Sequence, residues 1–402
     1  MNGARDKPRG AVQLVLLHQL SLERYPPAVN LLRTLHRQPG LATAVVTSTA
    51  TDAPAVALSP DQPVWRLRFA VRADMLLRRW YLALLWHLRA ALICWRLQPA
   101  VVISVEPHSA LAAWIWLVLL RGRSRLLIHH HEYYSPADYL RPGNRLTRLN
   151  RWFENRLLRR AVWVSQTNAD RLRLFQADHP ELTAAQCRVL PNYPPRVWLQ
   201  SLPAKTQWPR SATGPLRLVY VGSVSLHDTW IGPLVEWLNS PANTGCTLDV
   251  FCYNLDPATR SFLQNHSGTA VRFHAAGVAY DSLPQLLPQF DVGLILYRCN
   301  TVNFVWNASN KLFEYLLCGL DVWYPPCMLG VHPYARDTAA PRVLATDFEN
   351  PGELNLAVRR DRTGLPWQPW TTTCEDAFEP LIACLTNTAQ PDLPPLPRSP
   401  SP

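Results

Sequence analysis

"NASNKLFEYLLCGLDVW", residues 307–323, is built like a core helix yet carries an amide, a cation and a carboxylate in its first turns. At about 100° per residue, Leu312, Phe313, Leu316 and Leu317 fall on one side of that helix. Asn310, Lys311, Glu314 and Cys318 fall on the other. Ser309 stands at the N-cap position and Gly319 at C′, so the helix is short and begins near Ser309. Its N-terminal amides and dipole favour an anion. Lys311 adds a point charge suited to phosphate. The chain has 40 basic residues, of which only Lys7, Lys205 and Lys311 are lysines, so arginine-rich coding makes a lysine here stand out. Glu314, one turn further in, suits hydrogen bonds from hydroxyls such as a ribose diol. Together they suggest a nucleoside diphosphate. The alternative is a surface i,i+3 Lys–Glu pair worth about 0.2–0.5 kcal/mol.

Outward from this helix, short apolar runs alternate with helical segments. Strands are predicted at residues 12–18, 43–48, 101–106, 125–131 and 162–166, then at 216–223, 246–253, 270–276, 291–297, 322–326 and 341–346. Nearly continuous apolar strands separated by helices indicate parallel sheets buried on both faces. Residues 200–215, "QSLPAKTQWPRSATGP", have no apolar period and read as a linker. The expected fold class is therefore α/β, with two doubly wound Rossmann-like domains facing a cleft. The expected limits are 1–200 for the first domain, 201–215 for the linker and 216–388 for the second with a closing C-terminal helix. The Pro-rich tail 389–402 is expected to be disordered.

The charge is uneven. Residues 1–200 hold 27 Lys+Arg against 12 Asp+Glu, whereas residues 201–402 hold 13 against 17. A basic first half suits a polyanion or an anionic membrane surface; arginine-rich solvated helices are the alternative. Residues 76–97, "LLRRWYLALLWHLRAALICWRL", either lie on a membrane surface or pack on a sheet with the arginines outward. The run 107–120 is too short to span a bilayer. Nine scattered cysteines without a C-x-x-C pair fit a reducing compartment with no disulfide framework or structural zinc. The N-terminus reads as a first strand rather than a signal peptide. The expected location is cytoplasmic, peripheral on the inner face of the membrane. No nucleic-acid-reading module, G-x-G-x-x-G, Walker lysine loop or nucleophile elbow occurs, so no nucleic-acid partner is expected.

"HHHEYYS", residues 129–135, ends a predicted strand and should face the cleft. His131 or Glu132 there is a candidate base toward an acceptor hydroxyl. Adjacent strand histidines point to opposite faces, so the three cannot converge on one metal ion. One buried structural histidine with its neighbours solvated is the alternative. In "VEPHS", residues 105–109, Ser109 reads as a helix cap in preference to catalysis by Glu106 or His108.

"SNKLFEYLLCGLDVW" resembles the donor-helix segment of glycosyltransferases with the GT-B fold, in the family-4-like group that takes nucleotide sugars. "LRLVYVGSVSL" (216–226) is similar to the first strand and glycine turn of their donor domain, and "DSLPQLLPQFDVGLILY" (281–297) to the helix and strand ahead of the donor helix. "IHHHEYYSPADY" (128–139), "NRWFENRLLRRAVWVSQTNADRLRLF" (150–175) and "VLPNYP" (189–194) resemble late pieces of the acceptor domain. The likeness runs over residues 100–345. It implies a hexosyltransferase-type enzyme of cell-surface polysaccharide synthesis. Such an enzyme moves sugar from a nucleotide-sugar donor to a glycan or lipid-linked acceptor, with no cofactor and no obligatory metal. It implies that Glu314 holds the ribose, and that Lys311, Asn310 and the helix start at Ser309 hold the diphosphate. Gly222 and Ser223 would form the turn where backbone approaches the phosphates. Catalytic roles fall to His131, Glu132 and Lys311, the last supplying cationic stabilisation. Three departures stand out. Trp306 occupies the position eight before Glu314 where many retaining members have a glutamate. "SVSLHDTW" after Gly222 lacks the family's Arg and Lys, and Asp321 replaces a proline. These departures leave open a non-catalytic GT-B-like subunit, or a GT-B-like nucleotide-sugar epimerase or hydrolase.

Overall fold

The computed structural model describes residues 12–49, 56, 58–69, 76–202, 214–243, 245–252, 255–353, 361–362 and 364–386. Most of the linker and the Pro-rich tail lie outside the described residues. Seven parallel strands form the first sheet: β1 (Leu14–His18), β2 (Thr43–Ser48), β3 (Val64–Leu67), β4 (Val101–Val105), β5 (Arg125–His130), β6 (Ala161–Gln166) and β7 (Cys187–Val189). Their order is β3-β2-β1-β4-β5-β6-β7. Six parallel strands form the second: β8 (Leu216–Val221), β9 (Cys246–Phe251), β10 (Val271–His274), β11 (Val292–Leu294), β12 (Asp321–Tyr324) and β13 (Val343–Ala345). Their order is β10-β9-β8-β11-β12-β13. Both sheets are doubly wound α/β, as the alternation of elements implies. Each reverses direction at one place, between β1 and β4 and between β8 and β11. At such switch points the loops leaving adjacent strands part and open a crevice.

The strands β1, β2 and β4 are buried along their whole length. Covering helices account for this. On one face of the first sheet, the helix Leu76–Leu97 and the segment 110–119 supply Trp86, Ala90, Ala113 and Trp116 to one core. On the other face the helix Pro26–His36 packs beside the C-terminal helix Cys374–Thr386, whose Phe378 and Leu381 enter the core of the first sheet. The chain therefore crosses back from the second sheet to end on the first. Fully burying each leucine or phenylalanine of these cores contributes about 1.5–3 kcal/mol.

Two edge strands carry no apolar run that would announce them. β3, "VWRL", is half-exposed, and β7 is three residues long. The expectation of no disulfide is corrected. Cys299 and Cys327 are disulfide-bonded with Cα atoms 6.1 Å apart and 28 residues of separation. Their loops follow β11 and β12, which are neighbours in the sheet. Strand pairing, not sequence spacing, brings the two sulfurs together. No helix among the described residues is long and apolar enough to cross a membrane.

The cap expected at Ser109 is also corrected. Its Oγ makes no cap bond and instead accepts the Gln19 N–H at 3.0 Å, tying the loops after β1 and β4 together. Asp321 has a defined place. Buried at the start of β12, it accepts from Arg342 Nε and Arg362 Nε, both at 2.9 Å. A carboxylate between two guanidiniums is well compensated, which explains how it replaces an apolar residue.

Candidate functional site

A cleft of about 540 Å³ lies between the carboxyl ends of the two sheets. His131 and Glu132 line it from the first sheet; Gly222, Ser223, Ser309, Asn310, Lys311 and Glu314 line it from the second. All eight residues singled out from the sequence thus meet in one space.

The second wall is built around the helix Asn310–Leu317. Its apolar side is buried as the period requires, and Gly319 at C′ has φ +80°, the left-handed conformation that ends helices. The polar side is inside as well. Lys311 is 7% exposed and Glu314 4%, which rules out a solvated surface pair. Ser309 occupies the N-cap position, but its hydroxyl makes no bond to the helix amides, a correction to the expected cap. In the first turn the Leu312 N–H donates to the Ser309 carbonyl at 3.0 Å, while Asn310 and Lys311 line the cleft.

The Lys311 ammonium donates to the Tyr297 hydroxyl at 3.2 Å. It also lies 5.6 Å and 5.5 Å from the ring centroids of Tyr220 and Tyr297. Burial opposes its charge, but Tyr297 and Glu314 outweigh that cost and hold its pKa above the ordinary value. Beneath it, Gly222 turns the chain out of β8 with φ +110°. A Cβ added there would stand 3.1 Å from Lys311 Cε and 3.3 Å from Nζ. Only glycine leaves backbone and lysine this close. The missing Arg and Lys of the segment after Gly222 therefore leave Lys311 as the cation at this turn.

Glu314 Oε1 accepts from Asn310 Nδ2 at 2.7 Å. Burial pushes its pKa up, while Asn310, Lys311 and Tyr280 pull it back. Asn30 of the first half donates to Tyr280 Oη at 3.1 Å, and Arg33 meets Asp281 with two bonds of 2.8 Å. Tyr280 and Asp281, which line the cleft with Glu314, are thus tied to the opposite wall.

The first wall is assembled from distant segments. The three consecutive histidines alternate as a strand demands. His130 points away from the cleft to Glu154 at 2.8 Å, while His129 and His131 share the other face with rings 4.5 Å apart. Among the described residues no cluster of three or more His, Cys, Asp or Glu side chains is placed to hold a metal. Burial lowers the His131 pKa to about 4, so its ring is neutral near pH 7. Its Nδ1 donates to Asn192 Oδ1 at 3.2 Å, and its buried Nε2 has no protein partner. That bond leaves the ring's lone pair on Nε2, an atom closed off from solvent.

Two groups hold the His131 segment, and sequence reading missed both roles. Glu106, buried at the end of β4 with φ +60°, accepts the N–H groups of His131 and Glu132 at 2.7 and 3.1 Å. Its pKa lies well above the ordinary carboxyl value, chiefly through burial and then through Glu132. Arg171, 1% exposed, donates to the His131 carbonyl at 2.8 Å and to the Asn303 carbonyl at 2.9 Å. One guanidinium thus bridges the two walls. An Arg inside "NADRLRLF", with another two residues on, gives no sequence signal for this.

Trp306 is not among the residues lining the cleft. Its carbonyl accepts from Asn168 Nδ2 at 2.7 Å, and the Arg173 guanidinium lies 5.5 Å from its ring. The position where a partner glutamate was looked for serves instead in contact between the two halves.

No protein-family model matches the chain, and no curated protein matches it. Solved structures do. Sucrose-phosphate synthase from Thermosynechococcus elongatus aligns with TM-score 0.59 and 14% identity, covering 93% of this chain and 94% of that one. HepE of Anabaena, solved in complex with UDP and glucose, aligns with TM-score 0.56 and 13% identity over 92% and 94%. UDP-GlcNAc 2-epimerase from Neisseria meningitidis, bound to UDP-GlcNAc, aligns with TM-score 0.56 and 11% identity over 93% and 99%. The fold is of the GT-B type.

Proposed function

We propose that the chain is a hexosyltransferase-type glycosyltransferase. It moves sugar from a nucleoside-diphosphate sugar to a hydroxyl of a glycan or lipid-linked acceptor, in the synthesis of cell-surface polysaccharide. The observation that carries this is the buried Lys311 over the positive-φ turn at Gly222, with Glu314 one helical turn deeper. The diphosphate lies against Lys311, the first-turn amides and the Gly222–Ser223 turn, with Ser309 and Asn310 at its edge. Glu314 accepts the ribose hydroxyls. His131 and Glu132 face the acceptor. His131 Nε2 takes the proton from the acceptor hydroxyl, whose oxygen bonds to the anomeric carbon. The bond from that carbon to the diphosphate breaks, and its electron pair leaves on the diphosphate beside Lys311. Two proteins of like fold were solved with UDP or UDP-GlcNAc in place, which supports a nucleotide-sugar donor.

The first test is thermal shift with UDP, GDP and ADP. At least one should stabilise the protein, and Lys311→Met and Glu314→Gln should each weaken that nucleotide about a hundredfold. Lys311→Met should lower the apo melting point somewhat, because it leaves the buried Glu314 without its cation, so nucleotide affinity and not the melting point is the readout. Stabilisation by none of the three favours a non-catalytic subunit. A nucleotide-sugar epimerase or hydrolase is the second reading, favoured by equal likeness to UDP-GlcNAc 2-epimerases, with TM-scores of 0.56 and 0.57. Nucleotide release that depends on added acceptor and survives a chelator supports the transferase; release or sugar inversion without acceptor supports the second reading.

A further inference from the structure

The helix Leu76–Leu97 covers one side of the first sheet and leaves its own outer side bare. Leu77, Tyr81, Leu84, Leu88, Leu92 and Trp95 are 42–79% exposed. Their spacing is three or four residues throughout, so at about 100° per residue they form one straight stripe about 27 Å long. Single exposed apolar residues are ordinary, but four leucines, a tyrosine and a tryptophan in register are not. Arg78, Arg89 and Arg96 are exposed and fall together on one flank of the stripe.

The surrounding charge is of one sign. Residues 76–160 contain fourteen arginines and four carboxylates. Glu106, Asp138 and Glu154 are buried, and Glu132 lines the cleft. No carboxylate of this stretch is exposed. The helix Arg145–Leu158, joined to Leu76–Leu97 through the segment 110–119 between them, repeats the pattern. It exposes Leu149 and Trp152 beside Arg145, Arg148 and Arg156. On the opposite side of the sheet the helix Pro26–His36 carries Arg33 and His36, but the helix Cys374–Thr386 beside it carries Glu375, Asp376 and Glu379 and no basic residue.

We propose that this face docks flat on an anionic lipid bilayer. The stripe enters the boundary between headgroups and acyl chains, and the flanking arginines meet lipid phosphates while their stems stay in the boundary. A soluble protein partner of acidic surface fits less well, because the stripe is long and straight with arginines along one flank, the shape of a planar anionic surface. The helix begins after β3, at the carboxyl ends of the strands, so docking brings the cleft mouth near the bilayer, where a lipid-linked hydroxyl is reached from the surface. This goes beyond the proposed activity and does not depend on it.

The test is co-sedimentation of the full chain with vesicles, with neither donor nor acceptor present. Phosphatidylcholine vesicles containing about a third phosphatidylglycerol should retain the protein at least tenfold better than pure phosphatidylcholine. The double variant Leu88→Glu and Trp95→Glu should lose that binding. If it melts early, the milder Leu84→Gln and Leu88→Gln pair should lose most of it at the parental melting point. Arg89→Glu with Arg96→Glu should weaken binding chiefly at low salt. Equal retention on both vesicle types, or variants that bind like the parent, overturns the proposal. So does a dimer in vesicle-free buffer that the stripe variants dissolve, since that assigns the face to a second copy of the chain.

Discussion

The two walls of the cleft are made in opposite ways. The wall of the second sheet is more local: one helix carries the cation and the carboxylate three residues apart, over one glycine turn. The wall of the first sheet is collective. His131 takes its position from Glu106 on β4, Asn192 beyond β7 and Arg171 on a later helix. The local wall keeps its charges, with burial outweighed by partners at Lys311. In the collective wall, burial outweighs the partners that favour protonation, Asn192 at His131 and Glu154 at His108, and these imidazoles are neutral. In the first wall the charge that persists is Arg171, held by backbone carbonyls of both walls, while the buried histidines around it are neutral.

The sharpest way to break this contrast is acid. Burial lowers His18 and His87 to a pKa of about 3 and His108 and His131 to about 4. A folded pKa below the unfolded value means that the unfolded chain takes up protons first. Stability is therefore whole above pH 6.5 and falls as pH drops from 6.5 toward 4, by about 1.4 kcal/mol per pH unit for each histidine. Melting points measured over that range should fall steeply, and His131→Gln should make the slope shallower by one histidine's share. Insensitivity to pH would show that the imidazoles are charged and the contrast is wrong.

Next is Arg171→Met, which leaves the carbonyls of His131 and Asn303 without their donor. A loss of about 3 kcal/mol is expected in denaturant unfolding, with nucleotide affinity little changed. An affinity loss as large as that of Lys311→Met would mean the two walls are not separable. Gly222→Ala should cost less, about 1–2 kcal/mol for a strained positive φ. Its Cβ displaces Lys311 and should weaken nucleotide about tenfold in a binding titration. Smallest is Trp306→Glu. With position 306 outside the cleft lining, nucleotide affinity should stay within about twofold. A marked gain would show that the glutamate expected from the family resemblance still has a place here.

Of the two walls, the second was legible in the sequence and the first only in part. The period of Leu312, Phe313, Leu316 and Leu317, the C′ glycine and the lysine among arginines all lie inside one short segment. "HHHEYYS" could be placed at a strand end, and alternation told that its histidines diverge. Nothing nearby indicated which of them faces Glu106 or Arg171, because those contacts span 25 and 40 residues of chain. Edge strands β3 and β7 were invisible because one face of an edge needs no apolar run.

By itself the sequence determined the two parallel sheets, through buried strand runs, and the chemistry of one short helix, through its spacing. Tertiary structure alone decided that the polar side of that helix faces a cleft instead of water. It also decided that Cys299 meets Cys327, that Trp306 lies outside the cleft lining, and that Arg171 spans the walls. The reason is one of range. Periodicity and capping act within a turn or two of chain, whereas burial of a charge and the pairing of distant loops depend on which strands end side by side.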